Sequence, residues 1–228
     1  MFFGGYSAKD MDHDNTIRRM RPWVLISGIM TVVFYVLHDV IGSMNYSGYD
    51  WKTQAVSDLT AVDAPSRIVA GGLTTCYGIC SCLCCAFLTV MVKDVRKSLR
   101  LGIYLFAAMN GISAIGYALF PLTGSGYDGS VPSFIHLYIV TSMVVLLSIA
   151  SLIVTAVGSF RDHRKLLGVL AILALAAMFF GAVGSIVLPK EIFGIVERFS
   201  TYSAVIFTGI LGVYGCLKLS KASGSAGA

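Results

Sequence analysis

From Leu166 to Leu188 the chain carries no charged side chain at all. A helix built from that run has no polar face to offer water, and its length suits the ~30 Å hydrocarbon layer that about 20 apolar residues span. Five further stretches have the same apolar character, approximately 22–43, 66–92, 101–121, 132–158 and 193–217. Inside lipid every backbone N–H and C=O must be satisfied within the segment, so these spans are helices. The chain therefore reads as all-α, a polytopic membrane protein whose residues 22–218 form a six-transmembrane-helix bundle. Only 13% of its residues are charged, against about 25% in a soluble domain. A single water-soluble helical domain is excluded on that ground, because too little solvated surface is left.

The net charge of +5 is concentrated at one end of the bundle. Of the 17 Lys and Arg, all but Lys52, Arg67, Lys190 and Arg198 lie in residues 1–21, between spans 2 and 3, between spans 4 and 5, or after span 6. Basic residues collect on the cytoplasmic side, so both termini are expected to be cytoplasmic, with the cell (cytoplasmic) membrane as the expected location. The same distribution points to membrane lipids as partners, and to no nucleic acid. Residues 1–21 read as a polar, mobile cytoplasmic arm, with Pro22 at a tolerated first-turn position of span 1. Residues 219–228 read as a disordered tail of small residues. Asp10, Asp12 and Asp14 and the length of span 1 argue against a cleaved signal, leaving span 1 as an anchor.

Cys76, Cys80, Cys82, Cys84 and Cys85 crowd into span 2, and Cys216 lies in span 6. Their density suggests a metal cluster, but no His is near and successive cysteines point around the whole helix. Packing as small hydrophobes is the expectation, with acylation of a cytoplasmic-side Cys as the alternative and no structural disulfide. Ala177, Gly181 and Ser185 in span 5 recur at i, i+4 and i+8 and predict a close helix approach. Gly209, Gly212 and Gly215 in span 6 are read as packing positions too.

The connection 44–65 is the longest polar interval between two apolar spans and is read as a cap over the outside mouth of the bundle. Ser66 is expected to cap span 2 after Pro65. The Gly- and Ser-rich connection from Leu122 to Ser130 is expected to be flexible. His38 and Asp39 lie about one turn below the outside end of span 1, and His136 about one turn into span 4. Glu197 and Arg198 open span 6, Ser57 and Asp58 sit in the cap, Arg67 starts span 2, and Asp128 precedes span 4. Ionisable residues within spans are costly to bury and face a bundle interior or a watery cavity. Almost all of them share the outer leaflet, so His38, Asp39, Ser57, Asp58, Arg67, His136, Glu197 and Arg198 are expected to line one polar pocket. Each also has a plainer reading: Glu197 and Arg198 as anchors, His38 and Asp39 as a polar helix end, His136 bonded to a carbonyl, Asp58 capping a short helix.

Three uses of such a pocket remain open. Arg198 and Arg67 would hold the anionic headgroup of a lipid or small amphiphile, with acids and histidines completing the hydrogen bonds. Alternatively His38, His136, Asp39 and Asp58 are catalytic and metal-ligating candidates for a zinc-assisted intramembrane hydrolase of lipids or esters. No His-x3-His or His-Glu-x2-His spacing occurs. The third use is a transporter or membrane assembly partner, although no ionisable residue continues a proton relay toward the cytoplasm. Oligomeric state is not encoded in these features.

Gly48 to Ser66 reads Gly-Tyr-Asp-Trp-x2-Gln-x-Val-Ser-Asp-Leu-Thr-Ala-x2-Ala-Pro-Ser, His136 follows a short Gly-rich loop, and Gly194 to Arg198 reads Gly-x2-Glu-Arg. This pattern resembles the DUF998 family of six-span membrane proteins over roughly residues 20–218. The resemblance implies a six-helix membrane fold and picks out Ser57, Asp58, His136, Glu197 and Arg198 as family positions; it supplies no activity. A more distant similarity to Frag1/DRAM-type six-span proteins, some linked to lipid remodelling, favours lipid handling by analogy of fold alone.

Overall fold

The computed structural model describes residues 8–218. The helices are α1 (Ala8–Met44), α2 (Arg67–Met91), α3 (Lys97–Leu119), α4 (Val131–Arg161), α5 (Lys165–Val187) and α6 (Phe193–Lys218). Each is long and apolar enough to cross a membrane, and the chain is a multi-pass integral membrane protein. Its outward faces carry large apolar side chains such as Ile68 and Ile186, 88% and 80% exposed. Hydrocarbon is the solvent that suits them, whereas patches of this kind on a water-soluble monomer are sites of association.

The helices close into a ring in chain order. Each packs on the next, α6 returns to α1, and α2 also reaches α6. Short connections join α2 to α3 and α4 to α5 at one end. The opposite, capped end carries the longer segments 45–66 and 120–130. In the half away from the cap the ring is filled by side chains including Leu88, Leu99, Met109, Leu152 and Leu211, with Phe106 and Phe207 edge to face at 5.3 Å.

The expected arm is different in the structure. Helix α1 starts at Ala8, so Pro22 lies inside it and not in its first turn. Proline removes one helical hydrogen bond there, but the Arg- and Met-containing residues just before it are good helix formers and carry the helix through. The first seven residues of the arm, and the tail 219–228, lie outside the described residues.

Small residues set the spacing between helices. A Cβ on Gly28 of α1 would stand 2.9 Å from Gly212 Cα on α6, so the two backbones touch directly. Cys84 of α2 fills the third side of that junction, its Sγ 3.7 Å from Val24 O and 3.8 Å from Thr208 O. Cys84 and Cys85 are buried, and all six cysteines are free thiols. On α5, Gly181 receives the Ser200 backbone of α6, and Ser185 Oγ donates back to Gly181 O at 2.7 Å.

Gly28→Leu is expected to lower the unfolding midpoint in detergent micelles, at the upper end of the ~1–3 kcal/mol typical of overpacking. Gly71→Ala is the control, because a Cβ there meets nothing within 4 Å. Equal midpoints for the two variants would refute the junction as a packing constraint.

Candidate functional site

At the capped end, the chain leaving α1 folds back onto the mouth of the ring. A 3-10 helix, Val56–Thr60, drops Val56 and Leu59 inward against Tyr35, Ala70 and Val205. Ser66 occupies the N-cap position of α2, but its backbone is helical (φ −79°, ψ −7°) and its side chain makes no cap bond. A capping side chain needs an extended backbone to reach over the first amides. Ser66 Oγ donates instead to Leu59 O at 2.8 Å and ties the cap down.

The Leu122–Ser130 connection, expected to be flexible, is bonded into this cap. Val62 N donates to Leu122 O at 2.8 Å and Asp63 N to Thr123 O at 3.3 Å. The Asp58 carboxylate accepts from Ser125 Oγ (2.6 Å) and Gly126 N (3.3 Å), so it links the two connections, and it also receives the backbone N–H of Ala55, the N-cap residue of the 3-10 helix. Burial pushes the Asp58 acid above the usual carboxylate range, with the Ser125 and Gly126 donors pulling the other way. Exposed Asp128 moves in the opposite direction, held well below that range by the Thr123 and Ser130 hydroxyls.

Arg198 is the centre of the capped end. Its Nε and Nη2 donate to the two oxygens of Asp39 on α1, at 2.9 and 2.7 Å. Nη2 also donates to Tyr49 OH at 2.9 Å, and Nη1 reaches Trp51 O (2.9 Å), Gln54 O (3.3 Å) and Gly194 O (2.9 Å). Tyr202 OH completes the set on Asp39 Oδ2 at 3.0 Å. Burial raises the Tyr49 hydroxyl to about 12 although Arg198 opposes the shift, so at neutral pH it stays protonated and donates to Ala55 O at 2.8 Å. The cap also terminates α6: Lys52 O accepts from Gly194 N (2.8 Å) and Ile195 N (3.3 Å). Only glycine fits at 194, since a Cβ would run into Gln54 O and come within 2.5 Å of Trp51 O.

Glu197, the neighbour of Arg198, faces elsewhere. Its Oε2 accepts one long bond, 3.3 Å, from Val56 N. Oε1 has no partner among the described residues and is not sealed off by packing. Two tyrosines from other helices are its electrostatic neighbours, and a third packs on the first of them. Tyr35 and Tyr117 lie within its electrostatic reach. Tyr77 packs edge-on to Tyr35 at 5.0 Å and also neighbours Tyr117. The Tyr77 hydroxyl has no hydrogen-bond partner among the described residues. Tyr35 is wedged against Tyr202 at 5.2 Å, and its hydroxyl meets Thr201.

His136 lies tilted against Tyr117 (4.6 Å between ring centres) within a π-helical turn of α4, Ile135–Val140, and its Nδ1 lies 2.7 Å from Phe120 O. A carbonyl can only accept, so Nδ1 carries the proton and a neutral ring presents Nε2 as an acceptor. His38 is buried between α1 and α2, its Nδ1 3.1 Å from Ala70 O and 2.8 Å from Thr74 Oγ1.

The structure thus brings together Asp39 and Arg198, and places Glu197 beside both and within reach of Asp58. It does not bring in Arg67, which is exposed and donates to Val62 O at 3.3 Å. Ser57 is half-buried, and its carbonyl accepts the Thr60 hydroxyl at 3.0 Å. The candidate metal ligands do not converge: Asp39 is engaged by Arg198 and Tyr202, Asp58 by Ser125 and Gly126. Among the described residues no three His, Cys, Asp or Glu are placed to hold a metal ion, so this donor set does not fit zinc.

The tyrosines are what charge-based reading missed, although helical spacing carried a signal for some of them. Tyr35 precedes His38 and Asp39 by three and four residues, and Tyr202 follows Arg198 by four, so each shares a helix face with a residue already singled out. Tyr117 has no such neighbour in the sequence.

The family model for proteins of unknown function (DUF998) matches residues 29–214. The chain belongs to the DUF998 family. That match runs from midway in the first span of this DUF998 protein to near the end of the sixth and takes in both segments that build the capped end. No curated protein and no solved structure matches it. None of these comparisons bears on the more distant similarity to Frag1/DRAM-type proteins.

Two outcomes are expected from this geometry. Arg198→Ala, which strands Asp39 at 12% side-chain exposure without its partner, should cost about 3–5 kcal/mol of stability. The double variant Asp39→Asn/Arg198→Gln should cost less than the sum of its parts; strict additivity in a double-mutant cycle would refute the coupling. For Asp58 the folded-state acid is raised above its unfolded value, so ionisation penalises the fold at neutral pH. Stability should therefore rise relative to Asp58→Asn as pH falls toward about 4, the ordinary carboxylate value. A difference independent of pH would contradict that sign.

Proposed function

We propose that this DUF998 protein binds the headgroup of a membrane lipid, or a small amphiphile, in the pocket beneath its cap. The observation that carries this reading is Glu197 Oε1, a carboxylate oxygen at span depth with no partner among the described residues, with Tyr35 and Tyr117 in its electrostatic reach and Tyr77 packed on Tyr35. An ionisable group kept in the hydrocarbon zone with one oxygen unpaired is costly, and a bound polar group would supply the missing partner. With both termini cytoplasmic, as the distribution of Lys and Arg indicates, the pocket opens in the outer leaflet of the cell membrane.

The roles differ from those read from charge alone. Arg198 has all its donors engaged within the protein, and Arg67 points away, so neither is the headgroup ligand in this proposal. Binding falls to Glu197, Tyr35, Tyr77, Tyr117 and His136. The hydrolase reading gains no support from a donor set that does not assemble, and the carrier reading gains none from a far half packed with apolar side chains.

Protein purified in mild detergent should retain lipid or amphiphile detectable by native mass spectrometry. Glu197→Gln should deplete it about tenfold to a hundredfold, the effect of losing a hydrogen bond to a charged group, while Arg67→Ala retains it. The same lipid profile in wild type and Glu197→Gln, with both folded, would sink the proposal.

A further inference from the structure

The charge balance at the capped end says which kind of headgroup belongs there. Asp39 is neutralised by Arg198 at 2.7 Å. The other cations at this end turn elsewhere: Arg67 to Val62 O, Lys190 to Ser185 O and over the Phe193 ring, and Lys52 is exposed. What remains facing the pocket is the Glu197 carboxylate, with Asp58 within its electrostatic reach. The remaining polar atoms are acceptors or neutral hydroxyls: Glu197 Oε1, the unpaired Tyr77 hydroxyl and the His136 ring, whose Nδ1 proton is already given to Phe120 O. Tyr35 and Tyr117 are electrostatic neighbours of Glu197, and Tyr77 packs edge-on to Tyr35 at 5.0 Å; aromatic rings attract cations, more strongly when water is excluded. A phosphate entering this space would meet a carboxylate and no free cation.

We infer that the pocket selects an alkylammonium group, held by Glu197 and enclosed by Tyr35, Tyr77 and Tyr117. The inference rests on the headgroup-binding proposal and narrows it. The ammonium chemistry is common to two sources, the head of an aminophospholipid and a free small amine. In the lipid case the ammonium enters the tyrosine-lined space and the phosphate stays outside it.

The test uses the full chain in detergent, with short-chain phosphatidylethanolamine, phosphatidylglycerol of the same acyl length, and free ethanolamine as probes. Affinities come from titration calorimetry. Phosphatidylethanolamine is expected to bind at least tenfold more tightly than phosphatidylglycerol, and Glu197→Gln to abolish the preference. Tyr77→Leu provides a second variant, expected to weaken the ammonium ligand selectively, should Glu197→Gln fail to fold. Binding of free ethanolamine as tight as that of the lipid would support the inference with a free amine as the source. Binding of the lipid alone would support it with the membrane as the source. Equal or tighter binding of phosphatidylglycerol would overturn the ammonium inference and leave headgroup binding standing. No binding of any probe would overturn both.

Discussion

An arginine at span depth must find acceptors for five N–H bonds, and the capped end of this protein is organised around how Arg198 finds them. Two go to the carboxylate of Asp39 on the first helix and one to the Tyr49 hydroxyl. The two Nη1 hydrogens are shared among three backbone carbonyls, Trp51 and Gln54 of the cap and Gly194 in its own first turn. One side chain thereby joins the first helix, the last helix and the long connection between the first two. A guanidinium suits this task better than an ammonium, because its planar fork presents several donors in fixed directions. The absence of a side chain at Gly194 lets the cap approach closely enough for those bonds to form.

That clamp determines what its neighbour can do. Successive residues on a helix point roughly 100° apart, so with Arg198 turned to the cap and Asp39, Glu197 is turned into the ring. The positive charge is consumed by structure and the negative charge is left beside tyrosines. The polar character of this leaflet is therefore of two kinds. One is a closed network that holds the cap; the other is an incompletely satisfied carboxylate that the closed network presents. Asp58 contributes a third element by holding the second connection over the first through Ser125 and Gly126.

Much of the architecture was legible before any coordinates. Runs such as Leu166 to Leu188 leave no alternative to a membrane helix, and six of them give the bundle. The Gly-x2-Glu-Arg element and the Gly48–Ser66 phrase marked the family and both partners at the start of the last helix. Less legible were features that depend on backbone direction. Ser66 looked like a cap but bonds Leu59, because its own dihedrals are helical. The Gly- and Ser-rich connection looked slack, yet its bonds come from Asp58, Val62 and Asp63, more than fifty residues earlier in the chain. Arg67 looked like a headgroup ligand because it shares a level with the others, but it lies on an outward face.

The sequence by itself determined the solvent, the number of helices and the level at which the ionisable groups lie. All three follow from the local cost of placing charge and unpaired backbone in hydrocarbon. It did not determine which of those groups would be neutralised and which left available, because that depends on partners brought together from distant parts of the chain. Asp39 meets Arg198, and Tyr35 and Tyr117 come within electrostatic reach of Glu197, only once the ring has closed and the last helix lies against the first. Tyrosine carries no charge to mark it in a sequence, so its place beside Glu197 is fixed by packing alone.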